Sequence, residues 1–192
     1  MPRFKILAVL LMALLVSACG VNTIPTLDEQ VKASWAQVEN NYKRRADLIP
    51  NLVQTVKGYA AHEQKTLTEV IEARAKATQV TVSPENLDDP AAIQRFEQAQ
   101  GQVSSALGRL MMVAEQYPDL KANTQFIALQ SQLEGTENRI AVARKDYIDT
   151  VQGYNTEVRT FPGRLWAMVY GAKAKTTFAA PAGSDVAPAV SF

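Results

Sequence analysis

The sequence predicts an all-α protein, a bundle of three to four long helices. Apolar residues recur at spacings of three and four over most of the chain, which is typical of one helix face, and no strand-like alternation competes with this pattern. The chain is 47% hydrophobic but only 7% aromatic, so Ala, Val and Leu supply the core of a single domain. Because 20 basic residues face 19 acidic ones, the charge gives no argument for binding nucleic acid.

Residues 1–18 are predicted to be a lipoprotein signal peptide rather than part of the fold. Arg3 and Lys5 form a basic start, and residues 6–16 form an apolar stretch of the length found in secretory signals. The apolar stretch is too short to span a bilayer, which requires about 20 residues.

The residues VSACG at positions 16–20 resemble the bacterial lipobox, in which the cysteine is lipidated and begins the mature chain. Cys19 is the only cysteine, so an intrachain disulfide is excluded and a thiol site is disfavoured. We therefore predict a lipidated Cys19 and a short linker over residues 19–26, with the domain held outside the cytoplasm on the cell membrane or outer membrane. The alternative is an ordinary cleaved signal with a coincidental cysteine.

The first helix is predicted to start at Thr26, where the sequence TLDE matches a capping box that ends at Glu29. Its apolar stripe continues to about residue 80 and keeps its phase across Pro50, which favours one long helix bent near that proline. A proline inside a helix removes one backbone hydrogen bond. The alternative is a pair of helices that reverse direction between Asp47 and Pro50.

A loop over residues 80–89 separates the first helix from the second. Asp89 is predicted to be the N-cap of the second helix, with Pro90 at the first helical position, where its missing N–H does no harm. Pro118 is predicted to stop this helix.

Asn123 is predicted to cap a long third helix that residues 161–163, Phe-Pro-Gly, interrupt. Residues 165–169 are predicted to form a final short helix that packs on the bundle. The bundle thus covers residues 27–170. The remaining residues, 171–192, are rich in Ala, Pro, Gly and Ser and are predicted to be a flexible tail.

A few charged residues interrupt the apolar faces. Arg45 lies between Tyr42 and Ile49, where an apolar side chain is expected. Because an unpaired charge in a bundle is costly, we expect Arg45 to meet a carboxylate of the last long helix, with Glu137 the first candidate and Glu134 the second. The alternative is that Arg45 extends its charged end into solvent.

Catalytic and metal-binding patterns are not found in the sequence. His62 is the only histidine, so it cannot provide the two Glu-x-x-His motifs of a di-iron bundle, and no nucleophile pattern accompanies it. We therefore expect no enzymatic activity and no cofactor.

Several short motifs of the sequence resemble those of the LemA family. They are KRRxDLIPNLV at 43–53, TVKGY at 55–59, HE at 62–63, ARxKA at 73–77, ExYPxLKAN at 115–123, FxxLQ at 126–130, TENRI at 136–140, YN at 154–155 and FP at 161–162. The resemblance implies a membrane-associated, all-helical bundle with long antiparallel helices, and no established enzymatic activity. Many members carry a longer N-terminal transmembrane helix, whereas this chain has the lipobox.

Two functions are compatible with these features. The leading hypothesis is a lipid-anchored, non-enzymatic scaffold or adaptor in the bacterial envelope that binds a protein partner. The alternative is a module in which Arg44, Arg45 and Lys57 bind an anionic ligand or a lipid headgroup. The polar residues with a predicted role in recognition or structure are Lys43, Arg44, Arg45, Asp47, Asn51, Lys57, His62 and Glu137.

Overall fold

The computed structural model describes residues 20–179, and every regular element in that range is helical. The α-helices are α1 (Thr23–Lys57), α2 (Gln64–Gln79), α3 (Pro90–Ala114), α4 (Pro118–Lys121), α5 (Thr124–Arg159) and α6 (Gly163–Tyr170), with a short 3-10 turn at Pro84–Asn86. The predicted all-α bundle is confirmed.

Helices α1 and α5 form the long antiparallel frame of the bundle. They contain 35 and 36 residues, so each extends over about 53 Å at 1.5 Å per residue. Side-chain contacts fix their direction: Ser34 bonds Thr150 near the start of α1, and Asn123 donates to the Tyr59 hydroxyl just beyond the end of α1. Helices α2 and α3 pack beside this pair and are also antiparallel, since Arg109 near the end of α3 binds Glu69 near the start of α2.

Helix α1 begins earlier than the sequence indicated. It starts at Thr23 with Asn22 as N-cap, so the predicted capping box at Thr26 and the linker up to residue 26 are wrong. The Thr26 N–H already donates to the Asn22 carbonyl at 3.0 Å, and Pro25 lies in the first turn, where a missing N–H has no cost.

Helix α1 continues through Pro50 because another helix replaces the donor that the proline lacks. In a regular helix the N–H of residue 50 would bond the Ala46 carbonyl, four residues earlier. Here the Arg74 side chain, from α2, donates its Nε–H to that carbonyl at 2.7 Å. The contact also joins α2 to α1.

The chain reverses after Lys57, which neither sequence alternative anticipated. The predicted single helix to residue 80 is wrong, as is a reversal between residues 47 and 50: residues 58–63 form a tight connection between α1 and α2. Ala60 is buried in this connection and keeps the apolar spacing, which hid the break. Tyr59, which continues the apolar spacing of α1, is 43% exposed and accepts a hydrogen bond from Asn123.

The starts of α3 and α5 follow their sequence signals. Asp89 Oδ1 accepts from the Ala91 N–H at 2.9 Å, with Pro90 at the first helical position, as predicted. Asn123 Oδ1 accepts from the Phe126 N–H at 2.9 Å and caps α5, also as predicted. Helix α6 confirms the predicted final short helix.

An extended segment, residues 172–179, completes the end of the bundle that α2 does not reach. The Asn155 side chain binds this segment through two hydrogen bonds to the Lys175 backbone. Its Oδ1 accepts from the Lys175 N–H at 2.7 Å, and its Nδ2 donates to the Lys175 carbonyl at 2.8 Å. Phe178 is buried among aromatic side chains. The prediction of a flexible tail from residue 171 is therefore wrong for residues 172–179, and its remainder lies outside the described residues.

None of the helices between residues 20 and 179 combines the length and the apolar character that crossing a bilayer requires. The predicted signal peptide and Cys19 lie outside the described residues.

We predict that Arg74→Ala destabilises the protein by about 1–2 kcal/mol, because the half-buried Ala46 carbonyl loses its donor. In a Pro50→Ala background the new N–H restores the bond within α1, so the same change costs clearly less. Urea unfolding of the four variants measures this difference, with Lys76→Ala as a control for loss of charge on α2. Equal costs of Arg74→Ala in both backgrounds would contradict the replacement of the donor by Arg74.

Candidate functional site

The core consists of two apolar clusters with a polar layer between them. The proximal core, near the start of α1, contains Trp35 and Tyr42, and the distal core contains Ile49 and Leu52. Between them lies Arg45, one turn of α1 from each side. The polar layer consists of the buried polar residues at this level, Asn41, Arg45, Gln100 and Thr136.

Arg45 is 2% exposed and binds groups on two other helices. Its Nη1 donates to Glu137 Oε1 of α5 at 3.0 Å and to Ser104 Oγ of α3 at 2.9 Å. Its Nη2 donates to Gln100 Oε1 at 2.7 Å and to the Gln100 carbonyl at 3.2 Å. The predicted pairing of Arg45 with Glu137 is confirmed, and the solvent-directed alternative is wrong.

This arrangement lets a charged group remain inside a helical bundle. A buried guanidinium is tolerated when its charge is paired and its N–H groups have acceptors. The planar fork of arginine directs several donors into one plane, which suits the three acceptors on α3 and the carboxylate on α5. Within the described residues, no buried side-chain nitrogen or oxygen lacks a hydrogen-bond partner.

Asn41, Gln100 and Thr136 were not predicted as members of this layer. Two of them, Gln100 and Thr136, occupy core positions by the spacing that singled out Arg45. Gln100 lies between the core residues Phe96 and Val103, and Thr136 lies between Leu133 and Ile140. An uncharged side chain in such a position gives a weaker signal, because it can be buried by bonding to its own helix. The Thr136 hydroxyl does so by donating to the Gln132 carbonyl.

A second arginine joins the layer to the proximal core through Tyr42. Arg144 of α5 donates to Glu97 Oε1 of α3 at 2.9 Å and to the Tyr42 hydroxyl at 3.2 Å. Its guanidinium carbon lies 4.1 Å from the centre of the Phe178 ring, while that of Arg45 lies 4.9 Å from the centre of the Tyr42 ring. Both contacts are in the range of cation–π attraction. The two arginines thus tie α1, α3, α5 and the segment 172–179 together.

A cavity of about 350 Å³ opens beside the polar layer, between α1, α2 and α3. Arg45 and Gln100 line its inner wall, and Glu39, Lys43 and Asp47 line its α1 side. Burial raises the pKa of Glu39 above the ordinary value for glutamate. The Nη donors of Arg45 are used by Gln100, Ser104 and Glu137. Two further cationic residues, Lys43 and Arg74, also line the cavity.

The remaining predicted residues are exposed, and of them Lys43 and Asp47 line the cavity. Lys43, Asp47 and Asn51 lie four residues apart on the exposed surface of α1, and we call these three residues the α1 polar stripe. Arg44 is exposed beside them, and Lys57 and His62 lie at the turn between α1 and α2. Of the three residues in the anionic-ligand hypothesis, only Arg45 lines the cavity, whereas Arg44 and Lys57 do not.

No group of three His, Cys, Asp or Glu side chains in residues 20–179 is placed to hold a metal ion. What the arrangement does chemically is to bind one helix to two others through an arginine whose charge is paired and whose two Nη groups are hydrogen-bonded. It is a structural centre with exposed polar residues on the same helix.

The fold and this centre define a class of protein: an antiparallel bundle of long helices in which a buried arginine pairs with a glutamate of the last long helix, here Arg45 with Glu137. The model of the LemA family matches residues 34–192, most of the chain. The protein belongs to the LemA family.

The chain is similar to curated magnetosome proteins and to a curated protein LemA. The magnetosome protein MamQ 2 of Paramagnetospirillum magneticum is 31% identical over 169 residues, which cover 79% of this chain and 62% of the relative. MamQ of Magnetospirillum gryphiswaldense is 26% identical over 168 residues, with the same shares covered. Protein LemA of Metamycoplasma hominis is 25% identical over 132 residues, covering 69% of this chain and 56% of the relative. The chain therefore spans about three-fifths of the length of these relatives.

We predict that Glu137→Ala destabilises the protein by about 2 kcal/mol, because it leaves the Arg45 charge buried without its partner. The cost is lower than for a fully buried pair, since the Glu137 side chain is 42% exposed. Glu134→Ala is the matched control, since Glu134 is exposed and, among residues 20–179, its side chain bonds only to Gln130 of its own helix. That control is expected to change the free energy of unfolding by less than about 0.5 kcal/mol. Similar costs for the two alanine variants in urea unfolding would refute a special role for Glu137.

Proposed function

We propose that this protein is a lipid-anchored, non-enzymatic scaffold of the bacterial envelope that binds a protein partner through the exposed surface of α1. One observation carries the proposal. The polar residues around Pro50 divide into Arg45, which is used inside the bundle, and an exposed set that the core does not need, the α1 polar stripe with Arg44.

The exposed set suits recognition better than chemistry. Lys43, Asp47 and Asn51 offer a cation, an anion and an amide along about 12 Å of a rigid helix, since four residues advance it by 6 Å. A partner that reads them gains specificity from complementary charges at fixed spacing. Because the polar layer fixes α1 against α3 and α5, the stripe is presented without ordering a flexible segment.

The lipid anchor is the second part of the proposal. The lipobox-like residues 16–20 and the basic and apolar leader support it. Removal of the leader takes away Arg3 and Lys5, so the mature chain has slightly more acidic than basic residues and no overall attraction to anionic lipid. Acyl chains on Cys19 would then hold the domain, and several chains at one terminus give stable attachment.

Replacement of the anchor residue tests this part directly. We expect Cys19→Ser to abolish incorporation of labelled fatty acid. We also expect it to lower the fraction of the protein that stays with membranes after alkaline washing. Fatty-acid labelling of Cys19→Ser at the level of the unchanged protein would contradict lipidation at this residue.

Site-specific photocrosslinking in cells tests the partner surface. A photoreactive amino acid at position 51, in the α1 polar stripe, is expected to capture a discrete protein. The same group at position 138 of α5, another exposed asparagine, serves as the matched control. The stripe has no recognition role if position 51 gives no product, or if both positions give the same products.

A further inference from the structure

Helix α6 exposes an apolar surface that the bundle leaves uncovered. Leu165, Met168 and Val169 lie on one side of this helix at spacings of three and four, and Val169 is 72% exposed. Phe161, in the turn that precedes α6, is also exposed, at 78%. We call these four residues the α6 apolar face. Contiguous apolar surface of this kind marks an interaction site on a soluble domain.

The opposite side of α6 is packed, so the orientation of the helix is fixed. Gly163 and Ala167 are buried. A Cβ at position 163 would overlap the Glu157 carbonyl oxygen and carboxylate, which explains why α6 approaches α5 at a glycine. At its other end, Gly171 has φ +64°, which glycine adopts freely, and its N–H caps the helix.

Helix α6 also contacts the start of the described chain. The Tyr170 hydroxyl donates to the Val21 carbonyl at 3.0 Å. A Cβ at Gly20 would lie 3.4 Å from the Trp166 ring atoms Cδ1 and Nε1. In the sequence, the predicted lipidation residue Cys19 directly precedes Gly20. The α6 apolar face is therefore on the helix that contacts the first described residues, Gly20 and Val21.

Charge and aromatic content around α6 fit a lipid surface. Arg159 and Arg164 are exposed beside the α6 apolar face, where they can meet lipid phosphates. Trp166 and Tyr170 supply the amphipathic rings that are enriched at membrane interfaces. Helices with this character lie in the interface with their apolar side about 5–10 Å into the headgroup and acyl boundary.

We propose that the α6 apolar face inserts into the outer surface of the same bilayer leaflet that holds the lipid on Cys19. The inference rests on the proposed lipid anchor, and it adds a second membrane contact that fixes the orientation of the bundle. Because α1 starts beside α6 and is about 53 Å long, the turn with Lys57 and His62 lies at the end of α1 away from this contact. Partners would then approach the α1 polar stripe from the side that faces away from the anchor.

The experiment uses the acylated full-length protein with one added cysteine, since thioether formation leaves no thiol at Cys19. Val169→Cys reports on the α6 apolar face. Val142→Cys on α5 is the matched control, because Val142 is also an exposed valine, at 60%. Each thiol carries a small fluorophore, and the proteins are bound to vesicles of phosphatidylethanolamine and phosphatidylglycerol with brominated acyl chains.

We expect the fluorophore at position 169 to be quenched severalfold more than the fluorophore at position 142, relative to vesicles without bromine. Equal quenching at the two positions overturns the inference. The inference is also overturned if the fluorophore at position 169 is shielded only at a high protein-to-lipid ratio and is not quenched by bromine. That result would mean that a second copy covers the face.

Flotation of the same vesicles separates this inference from the anchor. Protein that floats but shows no preferential quenching at position 169 retains the anchor and refutes insertion of α6. Acylated protein that fails to float refutes the anchor proposal itself.

Discussion

The part of the chain that the structure describes depends on the buried cation Arg45. Its guanidinium donates to Gln100 and Ser104 of α3 and to Glu137 of α5. A charge in this position is stable only if every partner is in place, because an unpaired buried charge costs several kcal/mol. Apolar packing tolerates small shifts between helices, whereas these hydrogen bonds tolerate little change in distance. The layer therefore fixes the alignment of three helices at once.

The polar layer also separates two ends of the bundle that are built from different elements. On the distal side, α1, α2, α3 and α5 surround the distal core as a four-helix bundle. On the proximal side α2 is absent, and the loop of residues 80–89 with the segment 172–179 covers the aromatic core. Trp35 Nε1 donates to the Val82 carbonyl and the Tyr147 hydroxyl donates to the Thr176 carbonyl, so the irregular backbone there has fixed partners. This end carries the chain start and α6.

Local signals in the sequence predicted much of this architecture. The helix starts at Asp89 and Asn123 depend on side chains that bond the next few residues, so their pattern is visible locally. The pairing of Arg45 with Glu137 followed from two charges in apolar positions on helices that had to pack together. Long-range contacts explain what was missed. Helix α1 passes Pro50 because Arg74 supplies a donor from another helix, and no local pattern reports that.

The same reason applies to the connection after Lys57 and to the end of the chain. Ala60 continues the apolar stripe through the reversal, so the periodicity looked like one uninterrupted helix. Residues 172–179 have a composition typical of a mobile tail, but Phe178 fills a gap in the proximal core that only the folded bundle creates. The predicted polar residues Lys43, Arg44, Asp47, Asn51, Lys57 and His62 are exposed, and which of them a partner contacts depends on that partner.

The central claim is that Arg45 and its acceptors act as one unit. A double-mutant cycle in urea unfolding with Arg45→Met and Gln100→Leu measures their coupling directly, since both replacements are apolar and similar in size to the originals. The polar layer predicts a coupling free energy of about 1 kcal/mol or more, with the double variant less destabilised than the two single effects combined. Single effects that add to within about 0.3 kcal/mol would show that Arg45 and Gln100 contribute independently and would contradict the account.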